Sequence, residues 1–226
     1  MKKKNTKTIL VALGTLVAFA LWTFLIRCVD VQPIGPNGSR VGFAAINGAF
    51  HALTGVHWAL YTLTDWLGLV PIGIALGFAV LGLVQLIRRK SLLKVDRDIL
   101  ILGGFYIVVL AAYLLFETVV INFRPVLIDG KLEASYPSST TMLALCILPT
   151  AMMQLKTRIR GDAVRRAILG IPAAFTFFMV VGRLISGVHW LTDIIGGVLL
   201  SVGLVMLYAF AAKRQGKSRK NSLACV

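Results

Sequence analysis

The chain has 226 residues, 58% of them hydrophobic, with a mean hydropathy of +0.83 and a net charge of +15. A soluble domain is about 45–50% apolar, so the excess has to face lipid or pack between helices, and one membrane domain over 1–226 is expected at this length. The positive charge falls in short clusters between apolar runs, which argues against nucleic acid as a partner and is how membrane proteins mark cytoplasmic loops.

A bilayer core of about 30 Å takes roughly 20 apolar residues in a helix. Six runs meet that length, at about 8–27, 67–87, 98–122, 138–155, 166–186 and 190–212. They are continuously apolar rather than alternating, so helices and not a barrel are implied. The expected fold is therefore all-α, an integral membrane bundle of about six transmembrane helices.

The first run, Ile9 to Ile26, is interrupted only by Thr15 and Thr23 and is long for a signal peptide, so it reads as a retained span. Between the first two spans, residues 30–66 form the longest connection, an extracytoplasmic loop. Pro33, Gly35, Pro36, Asn37 and Gly38 make its start turn-rich, and the stretch from Val41 to Trp66 reads as an interfacial helix dotted with Asn47, His51, His57 and Asp65. Residues 98–212 form the core region. Past the sixth span, 213–226 read as a cytoplasmic tail, loose from Ser218 onward. Cys28, Cys146 and Cys225 have no metal-type or disulfide-frame spacing, and Cys225 does not fit a prenylation box.

The clusters Lys2 to Lys7, Arg88 to Arg97, Lys156 to Arg166 and Lys213 to Lys220 place 19 of the 24 Lys and Arg residues on one side of the spans. The other side holds Arg40, Arg124, Lys131 and Arg183, with Arg27 at a span edge. This asymmetry predicts a multi-pass protein of the cell membrane with both termini cytoplasmic.

Polar residues beside a span are costly and are read as functional by default. Here they gather at the face away from the basic clusters. Arg124 follows the third span, Tyr136-Pro137-Ser138-Ser139-Thr140-Thr141 opens the fourth, Arg183 closes the fifth, and His189 and Asp193 open the sixth. His189 and Asp193 are four apart, a spacing that puts them on one helical face. There the Asp would accept from one ring nitrogen and make the other a better nucleophile or base. Arg124 and Arg183 offer cationic forks to phosphate oxygens. Ser138 and Ser139 sit at a helix start, where free N–H groups bind anions.

Arg124-Pro125, Pro137-Ser138-Ser139 and Arg183-x5-His189-x3-Asp193 resemble the three motifs of the phosphatidic-acid phosphatase type 2 and vanadium haloperoxidase superfamily, in its membrane lipid phosphatase branch. The third motif is the specific one. The resemblance implies a helical bundle and metal-free, cofactor-free phosphate-ester hydrolysis, and the charge asymmetry puts the active site on the extracytoplasmic side. His189 would attack phosphorus and form a phosphohistidine, with Asp193 orienting it. Arg124, Arg183 and the Ser138–Ser139 backbone would bind the phosphoryl oxygens of a phospholipid or isoprenoid phosphate.

Three positions depart from the pattern. Glu117 stands where the family has a Lys, Thr140 where it has the His that protonates the leaving group, and Gly182 where it has a Ser. Two explanations compete. Either the substrate is a diphosphate, whose leaving group needs no strong acid, or the chain is a non-catalytic phospholipid binder or transporter that keeps the phosphate site. Glu117 is expected to pair with Arg124 or Arg183, or, with a pKa raised by burial, to replace the missing acid. Gly55-Val56-His57-Trp58 echoes Gly187-Val188-His189-Trp190 without the Arg and Asp, and reads as a coincidence with His57 at the interface.

Overall fold

A backbone in lipid has no water to bond to, so each apolar run closes its hydrogen bonds within itself as a helix. The computed structural model of the protein describes residues 2–159 and 161–223. Its elements are α1 (Lys2–Cys28), α2 (Ala44–Thr54), α3 (Trp58–Leu67), α4 (Leu69–Arg89), α5 (Arg97–Thr118), α6 (Ser139–Arg158), α7 (Asp162–Ile185) and α8 (Leu191–Leu223). Among the described residues the only β-type pairing is three isolated antiparallel bridges, one of them Phe123 with Ala134. The fold is all-α, as expected.

Five helical stretches are long and apolar enough to cross a membrane: Asn5–Cys28, Trp58–Arg89, Arg97–Thr118, Asp162–Ile185 and Leu191–Lys213. The sixth crossing is α6, whose 20 residues reach about 30 Å at 1.5 Å per residue. It is less apolar because its neighbours, not lipid, surround it. Ala144, Cys146 and Leu148 are buried. Its polar groups are satisfied internally: the Thr150 hydroxyl donates to the Cys146 carbonyl at 2.7 Å, and the Gln154 amide to the Tyr208 hydroxyl at 2.6 Å. The other central helix is α8, 56% of whose most apolar window is buried, against 11–22% for the other four. It packs along α1, α5 and α6 through Phe19, Phe105, Met142, Leu204 and Tyr208.

The helices run alternately up and down, which separates two ends. At one end the C-termini of α4 and α6 meet the start of α5: Arg89 pairs with Asp96 at 2.8 Å and Arg158 with Asp98 at 2.5 Å. The basic clusters sit here; Arg160 lies outside the described residues. At the other end Trp22 of α1 donates its indole N–H to the Thr192 carbonyl of α8 at 3.1 Å, and all the motif residues gather there.

Several expected boundaries move. The third span stops at Thr118, not 122, because Val119 leaves helical geometry at φ −97°, ψ 83°. Arg124 therefore stands on an irregular connection rather than on a continuing helix. The 30–66 segment folds into two helices, not one. The second of them, α3, enters α4 through Gly68 in right-handed helical geometry (φ −59°, ψ −20°), so the second crossing begins at Trp58 rather than 67. The expected loose tail is helical as far as Leu223, and 224–226, including Cys225, lie outside the described residues.

The connection from α7 to α8 is pinned from across the bundle end. The His57 N–H donates to the Ser186 carbonyl at 3.0 Å, and a His51 ring nitrogen lies 3.1 Å from the Gly187 carbonyl oxygen. Gly187 has φ +71°, and a Cβ there would collide with the Gly55 carbonyl. The two Gly-Val-His-Trp segments thus pack backbone to backbone. Gly187→Ala should cost about 1–2 kcal/mol for the left-handed backbone plus the collision, read as a lowered melting temperature of the protein in detergent. An unchanged melting temperature would disprove the close approach.

Candidate active site

Four connections bring the polar residues together. Arg124 lies between α5 and α6, where its N–H bonds the Glu133 carbonyl at 3.0 Å. Ser138 precedes α6, Arg183 lies in the last turn of α7, His189 in the turn before α8, and Asp193 in the first turn of α8.

The His189 side chain is buried between partners of opposite character. One ring nitrogen, Nδ1, lies 3.2 Å from the Ser135 carbonyl oxygen. The other, Nε2, lies 3.3 Å from Nη1 of Arg124. A carbonyl can only accept and a guanidinium can only donate. Nδ1 therefore carries the proton, and Nε2 presents its lone pair. Burial first, then the charges of Arg124 and Arg183, hold the imidazole well below the usual histidine range.

Asp193 lies beside the ring without a hydrogen bond to it. His189 stands two residues before the helix starts, so the helical i, i+4 geometry does not apply, and Asp193 Oδ2 is 3.8 Å from Nδ1. Its oxygens are engaged elsewhere: the Trp190 N–H donates to Oδ2 at 2.9 Å and the Asn122 amide to Oδ1 at 3.1 Å. The first is the return half of a capping box, an acid in the first turn closing its own helix start. The hydrogen-bond partner of Nδ1 is the Ser135 carbonyl, with Asp193 as a nearby negative charge.

The helix start at α6 also differs in detail. The Ser138 N–H already donates to the Asp193 carbonyl at 3.1 Å. The donors α6 offers are those of its first turn, Ser139 to Thr141. Ser138 occupies the N-cap position but its hydroxyl makes no cap bond.

Arg183 is 1% exposed. Its Nη2 donates to Asp65 Oδ1 at 2.8 Å and to Thr140 Oγ1 at 2.7 Å, and Nη1 to the Tyr61 carbonyl at 3.5 Å. The guanidinium carbon sits 4.9 Å from the centre of the Tyr61 ring. Arg124 pairs through Nε with Glu133 at 3.1 Å. Neither arginine pairs with Glu117, which correction follows from the early end of α5. Glu117 is exposed, on a cleft it shares with His189, Ser135 and Ser139.

The sequence reading missed Asp65, Tyr61, Glu133 and Asn122. Asp65 carried a usable signal, being a lone carboxylate in an apolar stretch, which needs a cation. Glu133 carried none, since a charge in a polar loop is ordinary.

Six buried side-chain polar atoms among the described residues have no hydrogen-bond partner. Five lie on residues of this end of the bundle: Nε of Arg183, Nε of Arg124 (ion-paired with Glu133 but not aligned for a hydrogen bond), and the hydroxyls of Ser138, of Ser135, which faces the Asp193 carboxylate, and of Thr141, whose side chain packs toward Gly197 of α8. Two cations and a helix start near a deprotonated ring nitrogen make a site suited to an oxyanion.

The chain is thus a multi-pass membrane protein whose motif residues gather at one polar end. Residues 112–217 match the model of the PAP2 superfamily, the stretch and the resemblance to which the three motifs point. A solved structure with the same fold is a transmembrane PAP2-type phosphatidylglycerolphosphate phosphatase from Bacillus subtilis. It is 19% identical, with a TM-score of 0.57, over 90% of this chain and 96% of that one. No curated protein matches the chain.

The depressed His189 pKa has a sign that can be checked. Unfolded histidine titrates near 6.5, and the folded ring only at lower pH. The stability of the neutral ring is complete above about pH 6.5 and is lost as pH falls below it toward the folded value. His189→Gln should flatten the decline in melting temperature between about pH 6.5 and 5. An unchanged slope would refute the buried neutral ring.

Proposed function

We propose that the protein is a membrane-embedded lipid phosphatase that removes a phosphate from a lipid mono- or diphosphate. The observation that carries this reading is the proton-free Nε2 of His189 set 3.3 Å from the Arg124 guanidinium, with the charge of buried Arg183 also felt at the ring. Nε of Arg183 is buried without a hydrogen-bond partner, a state native proteins seldom leave unanswered, and a phosphoryl oxygen would supply the acceptor.

Phosphate oxygens bind Arg124, Arg183 and the first-turn N–H groups of α6. As Arg124 turns its donors to phosphate, the Nε2 lone pair is released. It attacks phosphorus, the bond to the leaving oxygen breaks, and a phosphohistidine forms. The Nδ1 proton stays on the ring, held by the Ser135 carbonyl, with Asp193 balancing the new positive charge. Water then cleaves the P–N bond and regenerates His189.

A groove of about 980 Å³ opens between α4, α5 and α6. Asp65, Ser139 and Thr140 are its polar lining, and Ile72, Leu76, Phe78, Ile99 and Leu143 are among its apolar walls. That continuity of phosphate site and apolar groove suits a phosphate carried on a lipid chain. The solved structure with this fold is named as a phosphatidylglycerolphosphate phosphatase. Here Thr140 and Glu117 favour a diphosphate such as an isoprenoid diphosphate, because a phosphate monoester leaves without a proton. The same two positions favour the second reading, a non-catalytic binder or transporter of lipid phosphates.

Purified protein given a panel of lipid mono- and diphosphates separates the two. Phosphate should be released, faster from diphosphates, with and without chelator. His189→Ala should lower the rate by at least about 10³-fold, as loss of a nucleophile does, and labelled substrate should leave phosphate on His189. Wild-type turnover in His189→Ala would refute the mechanism, and binding without release would favour the binder.

The charge asymmetry supports an extracytoplasmic site with cytoplasmic termini. A cysteine at Asp129 should react with a membrane-impermeant thiol reagent in intact cells and one at Ser91 should not. The reverse pattern would overturn the orientation.

A further inference from the structure

Two of the three positions that depart from the motifs touch the same helix, and that helix lies outside them. At Gly182 a Cβ would fall 2.8 Å from the Thr64 methyl and 3.6 Å from Leu60. The missing side chain is what lets α3 lie against α7. At Thr140 the hydroxyl accepts from Arg183 at 2.7 Å, and the methyl lies 3.5 Å from the position of a Cβ on Gly68, where α3 turns into α4. The close packing at these positions brings Asp65 and Tyr61 to Arg183.

We propose that α3 belongs to the catalytic apparatus of this chain and that Asp65 is its positioning residue, acting through Arg183. The inference rests on the phosphatase reading above. An arginine side chain has four rotatable bonds, and a phosphate-binding guanidinium helps only when it is held in place. Asp65 and Thr140 take both protons of Nη2, the Tyr61 ring lies across the guanidinium, and the Tyr61 carbonyl takes one proton of Nη1. Nε and the remaining proton of Nη1 are left as the donors for substrate. Thr140 thus gains a use that a larger imidazole at that position would displace, and Gly182 gains a reason to lack a side chain. The exposed side of Asp65 also borders the lipid groove, so the carboxylate stands where head group and chain of the substrate meet.

A bare charge-balancing role for Asp65 would affect stability and leave the reaction of the folded protein alone. Kinetics of the full chain in detergent, on a prenyl diphosphate, distinguish the two. Asp65→Ala and Asp65→Asn should lower kcat by about 10–100-fold, the usual penalty for a misplaced binding group, with KM moved by less than about threefold. Asp65→Glu should recover part of the loss. Adding Asp65→Ala to Arg183→Ala should cost nothing further, because the residue through which it acts is gone. Gly182→Ser should reproduce the loss by pushing α3 away, and Thr64→Ala in the same chain should restore it. This second route does not depend on the folding of the Asp65 variants. A kcat for Asp65→Ala within about twofold of wild type, or an equal loss with and without Arg183, would overturn the proposal while leaving the phosphatase reading intact. A wild-type protein that releases no phosphate from any lipid would sink both.

Discussion

A guanidinium buried to 1% exposure at the end of a membrane helix cannot lose its charge, and taking an ion out of water costs several kcal/mol. Arg183 therefore has to be met by an anion, by acceptors and by a ring face, and no residue of its own helix supplies them. Much of the local architecture answers that requirement. The start of α6 brings Thr140 and α3 brings Asp65 and Tyr61, and Gly182 removes the side chain that would keep α3 away. The Asp65 side chain is 57% exposed and that of Arg183 2%, so the pair hides one charge instead of two. Arg124 repeats the arrangement at 11% exposure with Glu133 at 42%.

The imidazole is governed by a different rule. No strong base is needed to set its tautomer, since the two groups that touch it allow only one answer. An acceptor at Nδ1 and a permanent donor at Nε2 leave the lone pair facing the arginine. Asp193, the residue that spacing nominates as the partner, instead closes the start of α8 and holds Asn122. Its influence on the ring is by charge at 3.8 Å and by fixing where the helix begins. Removing that carboxylate disturbs both, so its loss alone does not separate electrostatics from position.

The number of spans, the alternation of ends and the gathering of polar residues at one end were legible because lipid enforces them: apolar length and charge placement leave few alternatives. The third motif was legible for the same reason, as Arg183, His189 and Asp193 are out of place in an apolar background. What was not legible depended on where helices stop. The end of α5 at Thr118 puts Arg124 on an irregular connection and strands Glu117, which a continuing helix would have placed beside it. The role of 44–67 was missed because amphipathic residues beside a span suggest the interface. Some of its polar groups in fact reach into the bundle: buried Asn47 bonds Thr192 through both its amide and its carbonyl. The echo at Gly55-Val56-His57-Trp58 was discounted for lacking Arg and Asp, although those backbones touch.

The contact between Gly55 and Gly187 means that two loops distant in the chain share one small volume. A residue inserted into either would disturb the backbone contact at Gly187, and the second of the two loops carries His189. The three-residue link between α2 and α3, which by position is an ordinary surface turn, is therefore a poor place for an epitope tag, a loop graft or a circular permutation. Lengths of the two loops in related chains should change together or not at all, and the tolerant sites at this end of the bundle are the ones that leave that contact alone, such as the Pro36–Gly38 turn.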